Sequence, residues 1–455
     1  MAAPVREPVR SALVVGFGIT GRAVTDALIA RGVAVVVVDE HPTDAIRAEA
    51  ASRGVELVES PSEPDLARLV TGCDLVLPSP GLPERHPVFA LAAATGTAIE
   101  SEFDLADRWD ARPIVAITGT DGKTTVTTMV TAMLVASGVR AVACGNTETP
   151  LVEAIGDPDI EVFVVEASSF RLASTRWFQP AVAVWLNFAP DHLDAHASLA
   201  SYEAAKASIW AHLDPVSGVA IASADDPVVL ANRNPEVVTI TFGTEGIDAE
   251  ATVVEGWLCL PDGTRLVRVD ELPRRFPHDI TNALAASAAA SAAGASVEGI
   301  CRALRSFRGL HHRVELVGEV DGVRWFDDSK ATTPHAVLSA IGAFDSVVLM
   351  AGGRNKGLDL SPLGAQVPPV RAVVAIGEAA AEVDSAFAGR CEVRTVPTNI
   401  EDAVDAAASI ARVGDVVLLS PGCTSFDWFS SYGERGDRFA DAVRRLPGFV
   451  GEAAS

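Results

Sequence analysis

The stretch Ile114-Val115-Ala116-Ile117-Thr118-Gly119-Thr120-Asp121-Gly122-Lys123-Thr124-Thr125-Val126 constrains the fold more than any other part of the chain. Its β-branched apolar run reads as a buried strand, the Gly/Thr/Asp segment as a tight loop, and the Thr/Met/Val/Ala-rich run behind it as a helix. Such a loop holds an anion, because glycines let several backbone N–H groups converge and the helix N-terminus adds partial positive charge. Lys123 is then placed for β- and γ-phosphates, and the Thr124 hydroxyl for a magnesium ion. The spacing departs from GxxxxGK[ST], since Ile117 stands where the first glycine of that pattern belongs. Plain turn chemistry is the competing reading, and the order strand, loop, helix weighs against it.

At 455 residues the chain is too long for one ordinary core, so two or three domains are expected. A net charge of −24 argues against general binding to nucleic acid or to an anionic membrane. A polyanionic substrate must then be met by local donors, helix termini and metal ions. Cys73, Cys144, Cys259, Cys301, Cys391 and Cys423 show no C-x-x-C pairing and read as buried free thiols in a reducing compartment. Met1 to Arg10 is charged, proline-broken and lacks the apolar core of a signal peptide, and the run Ala283 to Ala295 is too short to span a bilayer. A cytoplasmic protein is expected.

In chain order, Ser11 to Val15 predicts a strand running into Gly16-Phe17-Gly18-Ile19-Thr20-Gly21 and a helix to about Arg31. A second strand, Val33 to Val38, ends at Asp39. This is G-x-G-x-x-G with an acid some twenty residues on, the pattern of a dinucleotide-binding βαβ unit. It is weak alone, and the loop suits a nicotinamide cofactor or the pyrophosphate and ribose of another nucleotide equally well. Further strands are expected at Asp74 to Leu77, leading into Ser79-Pro80-Gly81, and at Ala98 to Glu100. Asp110 to Pro113 reads as a boundary.

Behind the phosphate loop, strands expected at Val139 to Ala143, Val162 to Val165 and Ala181 to Leu186 run respectively into Asn146, Glu166-Ala167-Ser168-Ser169-Phe170 and Asp191-His192-Leu193-Asp194. Polar residues thus recur at the carboxyl ends of buried strands, on the edge that carries the phosphate loop. Glu166 reads as a magnesium ligand or a solvated turn carboxylate, His192 as a second ion ligand or a neighbour capped by Asp191. Lys206, on a helical pattern, reads by itself as a surface residue. Strands follow at Gly218 to Ala222 and Val237 to Phe242, then a hairpin of Thr252 to Leu260 with Thr264 to Val269 around Asp262-Gly263, and His278 to Asn282 opening an alanine-rich helix.

From Phe307 onward strands and helices alternate again, with strands at Val314 to Val320, Val323 to Phe326, Ser346 to Met350, Ala372 to Ile376 and Asp415 to Leu419. The loops between them gather Asp327-Asp328-Ser329-Lys330-Ala331-Thr332-Thr333, Gly352-Gly353-Arg354-Asn355-Lys356-Gly357 and Ser420-Pro421-Gly422-Cys423-Thr424-Ser425-Phe426-Asp427.

Gly119 to Thr125, Glu166 to Phe170, Asp191 to Asp194, Ala204-Ala205-Lys206, Thr281-Asn282-Ala283-Leu284-Ala285, His312-Arg313, Asp328 to Thr332 and Leu419-Ser420-Pro421 follow one another in the order of the Mur ligases, which the chain resembles over nearly its whole length. The Gly16 to Gly21 loop, Asp328 to Thr333, and Ser420 to Phe426 with Glu434-Arg435-Gly436 point to the members that add D-glutamate to UDP-N-acetylmuramoyl-L-alanine. The resemblance implies an α/β architecture of three domains: a Rossmann-like substrate domain over residues 1–110, a central P-loop ATPase-like domain over 111–308 and a Rossmann-like domain over 309–455. It implies a cytoplasmic, monomeric ligase of peptidoglycan synthesis, whose partners are ATP, UDP-N-acetylmuramoyl-L-alanine and D-glutamate.

In such a ligase ATP phosphorylates the terminal carboxylate and the incoming amine displaces phosphate, so metal ions and lysines must reconcile two anions. By resemblance, ATP is bound by Gly119, Thr120, Asp121, Gly122, Lys123, Thr124, Thr125, Asn282, Arg313 and Asp328, the last through its ribose. Lys123, His192 and Lys206 are the catalytic candidates. Two Mg2+ ions, with Mn2+ as a substitute, are held by Thr124, Glu166, His192 and Lys206, the lysine carrying carbon dioxide as a carbamate. The UDP-substrate meets Ile19, Thr20, Asp39, Ser79, Gly81, Asn146 and His192, and D-glutamate meets Thr332, Lys356, Ser425 and Phe426. Thr147-Glu148-Thr149, Asp279 and Asp39-Glu40-His41 depart from the family's pattern. The alternatives are a folylpolyglutamate ligase, which shares the ATP loop without an N-terminal nucleotide domain, a dinucleotide-binding oxidoreductase, or a nucleotide-binding module without chemistry.

Overall fold

The computed structural model describes residues 8–147, 149–192 and 195–451; Glu148, Leu193 and Asp194, singled out above, lie outside them. The chain forms two compact units, one running to Pro273 and including Ile280–Phe307, the other comprising Arg274–Asp279 and the chain from Arg308.

The first unit opens with a parallel sheet in the spatial order Glu56–Glu59, Ala34–Asp39, Ser11–Val15, Leu75–Pro78, Ala98–Ile99. Its inner strands are buried on both faces, which is why they read as unbroken apolar runs. Glu56–Glu59 escaped the sequence reading because an edge strand with acids at both ends gives little apolar signal. The chain reverses direction of growth between Ser11–Val15 and Leu75–Pro78, so the Gly16 loop and Ser79 lie side by side at a switch point.

A second parallel sheet follows, in the order Val238–Phe242, Val219–Ser223, Val182–Trp185, Ile114–Thr118, Val162–Glu166, Ala141–Gly145. Its register sets Ile117 and Gly145 both opposite Glu166, so the carboxyl ends of three adjacent strands finish level. The helices Lys123–Ala136, Pro277–Ala292 and Val297–Ser306 cover one face, and Trp185, Trp210, Phe163 and Phe178 fill the other. The alanine-rich helix begins at Pro277, ahead of the expected start.

The hairpin expected over Thr252 to Val269 is instead a three-stranded antiparallel sheet of Thr252–Val254, Trp257–Cys259 and Arg265–Arg268. Glu255 and Gly256 adopt left-handed backbone, with φ of 52° and 77°, and fold the first expected strand back on itself.

The second unit holds one sheet, ordered Glu392–Val396, Val370–Ile376, Val347–Gly352, Val416–Gly422, Val323–Asp327, Glu315–Val320, Phe449–Val450, antiparallel only at its last two pairings. Ser420, Pro421 and Gly422, expected in a loop, close the strand Val416–Gly422. Four cysteines are buried as expected, whereas Cys73 and Cys391 are half-buried. Among the described residues no helix is long and apolar enough to cross a membrane.

Candidate active site

The rim where the central strands end carries the expected phosphate loop. Gly119 and Gly122 have φ of 157° and 84°. A Cβ on Gly122 would come within 2.8 Å of the Asn282 amide oxygen, so the loop and the alanine-rich helix meet only because that glycine is bare. Asn187, at the end of the neighbouring strand, braces the loop by accepting from the Asp121 amide at 2.9 Å. Thr120 Oγ1 lies 3.1 Å from the Tyr202 hydroxyl and accepts from Ala189 N at 3.0 Å.

Two lysines converge on one carbonyl in this loop. Lys123 Nζ donates to Gly119 O at 2.8 Å and to Thr120 O at 2.7 Å, while Lys206 Nζ donates to Gly119 O at 2.7 Å. Lys206 is only 1% exposed, which corrects its reading as a surface residue. Its helix, Leu199–Ala207, starts in a Ser198/Ser201 capping box and buries Tyr202, Ala205 and Lys206. The Lys206 ammonium stands 4.6 Å from the Tyr202 ring centroid. Burial, then the nearby charge of Lys123, pushes its pKa well below the usual lysine range.

Glu166 closes the adjacent strand and is 4% exposed, not a solvated turn residue. Its Oε1 accepts from Asn146 Nδ2 at 3.1 Å, whereas the buried Oε2 meets no hydrogen-bond donor among the described residues. A buried carboxylate oxygen without a donor is costly unless a cation takes its place. Together with the Thr124 hydroxyl at the start of its helix, this donor set fits a hard divalent ion. The structure contains no ion.

Asp191 holds His192 from two sides, accepting its backbone N–H at 2.7 Å and lying 3.1 Å from its Nε2. His192 adopts φ of 57°, a strained value for a non-glycine residue, and the Phe170 ring packs edge-on at 4.6 Å. No helix begins at these residues, so the pairing with Asp191 is a local contact and not a helix cap. His196, which sequence reasoning missed, lies 2.6 Å from Glu84 through Nδ1 and 2.9 Å from Ser169 Oγ through Nε2. A histidine alone between Ala195 and Ala197 carries no motif that could have revealed it.

At the first sheet, Asp39 accepts from Phe17 N of the glycine loop at 2.9 Å with one oxygen and from His41 N, two residues on, at 3.0 Å with the other. Ser79 Oγ donates to Gly16 O at 2.7 Å. A Cβ on Gly21 would lie 2.1 Å from Gly16 O, which is why the motif needs its last glycine. Ile19 is exposed beside it. Thr20 Oγ1 accepts from Arg171 at 3.0 Å, and Arg171 forms a buried ion pair with Glu102. Thr20, Ser79, Glu102, Phe170 and Arg171 line one small, partly open pocket. Arg171, five residues beyond Glu166, was also missed, because an arginine in a short helix reads as solvated.

In the second unit, Asp328 accepts from Val314 N at 3.2 Å and Ser420 Oγ at 2.7 Å. Burial pushes it up to about 7, against the opposing pull of Ser420 and of Arg313. The loop bearing Lys356 and the loop bearing Ser425 and Phe426 are joined by reciprocal Arg354 and Thr424 backbone bonds of 2.9 and 3.0 Å. Ser425 is buried, Thr332 and Lys356 are half-buried, and Phe426 is 60% exposed. Arg435 is 1% exposed and donates to Ser329 Oγ, Ser329 O and Cys423 O, joining the Asp328 and Ser425 loops from beneath. Asp279 accepts from Arg274 at 3.1 Å, an ion pair that an asparagine there would not make.

Comparison with known proteins gives three matches in chain order: a Mur ligase MurD-like N-terminal domain over residues 10–101, a Mur ligase middle domain over 117–290, and a Mur ligase glutamate ligase domain over 312–423. A UDP-N-acetylmuramoylalanine--D-glutamate ligase from Frankia casuarinae is 42% identical, covering 96% of this chain and 94% of the relative. One of the same name from Pelotomaculum thermopropionicum is 36% identical over 96% and 98%. Among solved structures, a pseudomurein peptide ligase type C from Methanothermus fervidus shares the fold, with a TM-score of 0.59 at 19% identity over 95% of this chain and 99% of that one. A UDP-N-acetylmuramate-alanine ligase from Thermotoga maritima does so with a TM-score of 0.56, at 19% identity over 95% and 99%. With a phosphate loop, a buried acid and a buried lysine gathered on one sheet rim, and relatives matched from end to end, the chain belongs to the Mur ligase family.

Proposed function

We propose that this chain joins D-glutamate to the terminal carboxylate of UDP-N-acetylmuramoyl-L-alanine, with ATP cleaved to ADP and phosphate, as a cytoplasmic, monomeric enzyme of peptidoglycan-precursor synthesis. The observation that carries the reading is the pair of lysines on Gly119 O, on the rim that also carries the donorless oxygen of Glu166. Relatives that share the name UDP-N-acetylmuramoylalanine--D-glutamate ligase and match over nearly the full length support the choice of substrates.

The reaction must bring a carboxylate against a triphosphate. The carboxylate oxygen attacks the γ-phosphorus and the bond to the β-bridging oxygen breaks, leaving ADP and an acyl phosphate. The amine of D-glutamate then attacks the acyl carbon, loses a proton, and expels phosphate as the amide forms. Mg2+, when bound, withdraws charge from the transferring oxygens and lowers the repulsion between the two anions.

The chain's own groups divide the rest. The loop amides from Gly119 to Thr125 and Lys123 cradle the phosphates, with Asn282 beside Gly122 on the same nucleotide. Thr124 and Glu166 hold one ion, His192 and Lys206 the other. Lys206 serves that ion as a carbamate, formed when its neutral amine adds to carbon dioxide and releases a proton; its burial supports this reading. Asn146 and His192 steer the muramoyl carboxylate. Ile19, Thr20, Asp39, Ser79 and Gly81 take the uridine nucleotide. Thr332, Lys356, Ser425 and Phe426 receive the dicarboxylate amino acid, and Arg313 and Asp328 serve ATP.

The oxidoreductase alternative is disfavoured because the relatives matched over nearly the full length carry a ligase name. The test is phosphate release from ATP, which is expected to require both UDP-N-acetylmuramoyl-L-alanine and D-glutamate. Release without either, or only with a different acceptor, overturns the reading.

A pH dependence follows from Asp328. Its carboxylate accepts ribose hydroxyls best when ionised, and burial holds its pKa near about 7. The KM for ATP is therefore expected to fall as pH rises through that value. Asp328→Asn should raise KM by about tenfold and flatten the part of the profile that belongs to this group; initial rates across pH check it.

A further inference from the structure

Outside the proposed catalytic rim, in the second unit, two adjacent histidines and one acid converge. His311 Nδ1 lies 2.5 Å from Glu315, and its Nε2 lies 3.5 Å from Asp437 Oδ1. His312 Nδ1 lies 2.6 Å from Asp327, and its Nε2 lies 3.8 Å from the same Asp437 oxygen. From this arrangement we infer that His311, His312 and Asp437 form a binding site for one divalent transition-metal ion of the zinc class.

Three observations carry it. Each ring gives its Nδ1 to a carboxylate and turns its Nε2 toward a third one, so the tautomer that leaves Nε2 free to ligate is favoured twice over. That is the arrangement in which an outer carboxylate orients a metal-binding imidazole. The separations also fit: bonds of about 2.0–2.1 Å to nitrogen and oxygen in a tetrahedral zinc site put neighbouring ligands about 3.3 Å apart. The atoms here stand at 3.5 and 3.8 Å, and all three lie within 4.8 Å of one another.

The burial of the members differs usefully. His312 is buried, and it fits only because residue 436 is glycine, whose Cβ would lie 2.2 Å from its Nδ1. It is the fixed ligand. His311 and Asp437 have side chains 65% and 66% exposed, so they can close onto the ion while a remaining position faces water. Imidazole nitrogens with one carboxylate select zinc, cobalt or nickel over magnesium, so the site is chemically distinct from the oxygen donors of the catalytic rim. An ion there would join the start of the strand Glu315–Val320 to the helix Tyr432–Arg444.

The experiment uses the full chain, stripped with chelator, in excess Mg2+ so that the oxygen-donor sites are filled. Zn2+ is titrated by calorimetry, and melting temperature is followed with and without Zn2+. One Zn2+ per chain is expected, with a rise in melting temperature. His311→Ala and Asp437→Asn should each weaken binding by more than tenfold and abolish the rise. Glu315→Gln, at a carboxylate that meets Nδ1 of His311 and accepts from the His312 backbone N–H at 2.9 Å, should weaken it by about tenfold, and Glu166→Gln should leave it unchanged. Because His311 and Asp437 are exposed, their variants are expected to keep the metal-free melting temperature of the parent. Zinc binding of equal strength in the parent and in both the His311 and Asp437 variants, or loss of binding in Glu166→Gln, would overturn the assignment, as would an absence of binding in the parent. None of these outcomes bears on the ligase reading, which is tested by substrate dependence.

Discussion

Lys206→Ala is expected to lower the rate of substrate-dependent phosphate release by about 10²–10³-fold, and acetate or another short-chain carboxylate should restore part of it. The expectation starts from burial. A buried ammonium at 1% exposure donating to a backbone carbonyl is an expensive way to satisfy Gly119 O, which Lys123 already serves. As a carbamate, the same side chain becomes an oxygen donor on the rim where the phosphates are proposed to lie. The alanine variant then loses an anionic ligand and leaves a space of its shape, which a small carboxylate can enter. Carbon-13 bicarbonate should give the parent a carbamate resonance that the variant lacks. Undiminished turnover in the variant removes the carbamate from the mechanism; lost turnover without rescue or resonance reduces Lys206 to a packing role.

Glu166→Gln is the second large effect. The turnover rate should fall by about 10²–10³-fold, and more Mg2+ should be needed to reach half of what activity remains. The melting temperature without Mg2+ should hold or rise, because the exchange removes a buried carboxylate oxygen that no donor meets. Asn146 can still pair with the amide oxygen of glutamine, so the strand end keeps its hydrogen bond. A fall in melting temperature with an unaltered Mg2+ dependence would make Glu166 a structural acid.

Much of this was readable from the residues. Buried parallel strands are long apolar runs, and each of these runs leads into polar residues; thus Gly119 to Thr124, Asn146 and Glu166 were picked out as candidates in order. Glycines that permit close approach were readable too, since Gly21 and Gly122 occupy motif positions. What escaped were residues whose role depends on a distant partner. Arg171 means nothing until Glu102 and Thr20 are beside it. Arg435 acts through Ser329 and Cys423, and the first of these is about a hundred residues away. The edge strand Glu56–Glu59 and the fold-back at Glu255-Gly256 were missed because neither depends on an apolar pattern.

The sequence by itself determined the α/β class and the succession of strand and helix, because periodicity and turn chemistry are local and survive in a linear string, while the family was legible only through motifs that resemble the Mur ligases. Only the tertiary structure decided that Lys206 is buried, that it shares Gly119 O with Lys123, and that one oxygen of Glu166 has no donor. Burial and the sharing of one acceptor by residues 83 positions apart are properties of the strand order, which places the loop after Ile114–Thr118 beside the helix Leu199–Ala207; no local pattern encodes them.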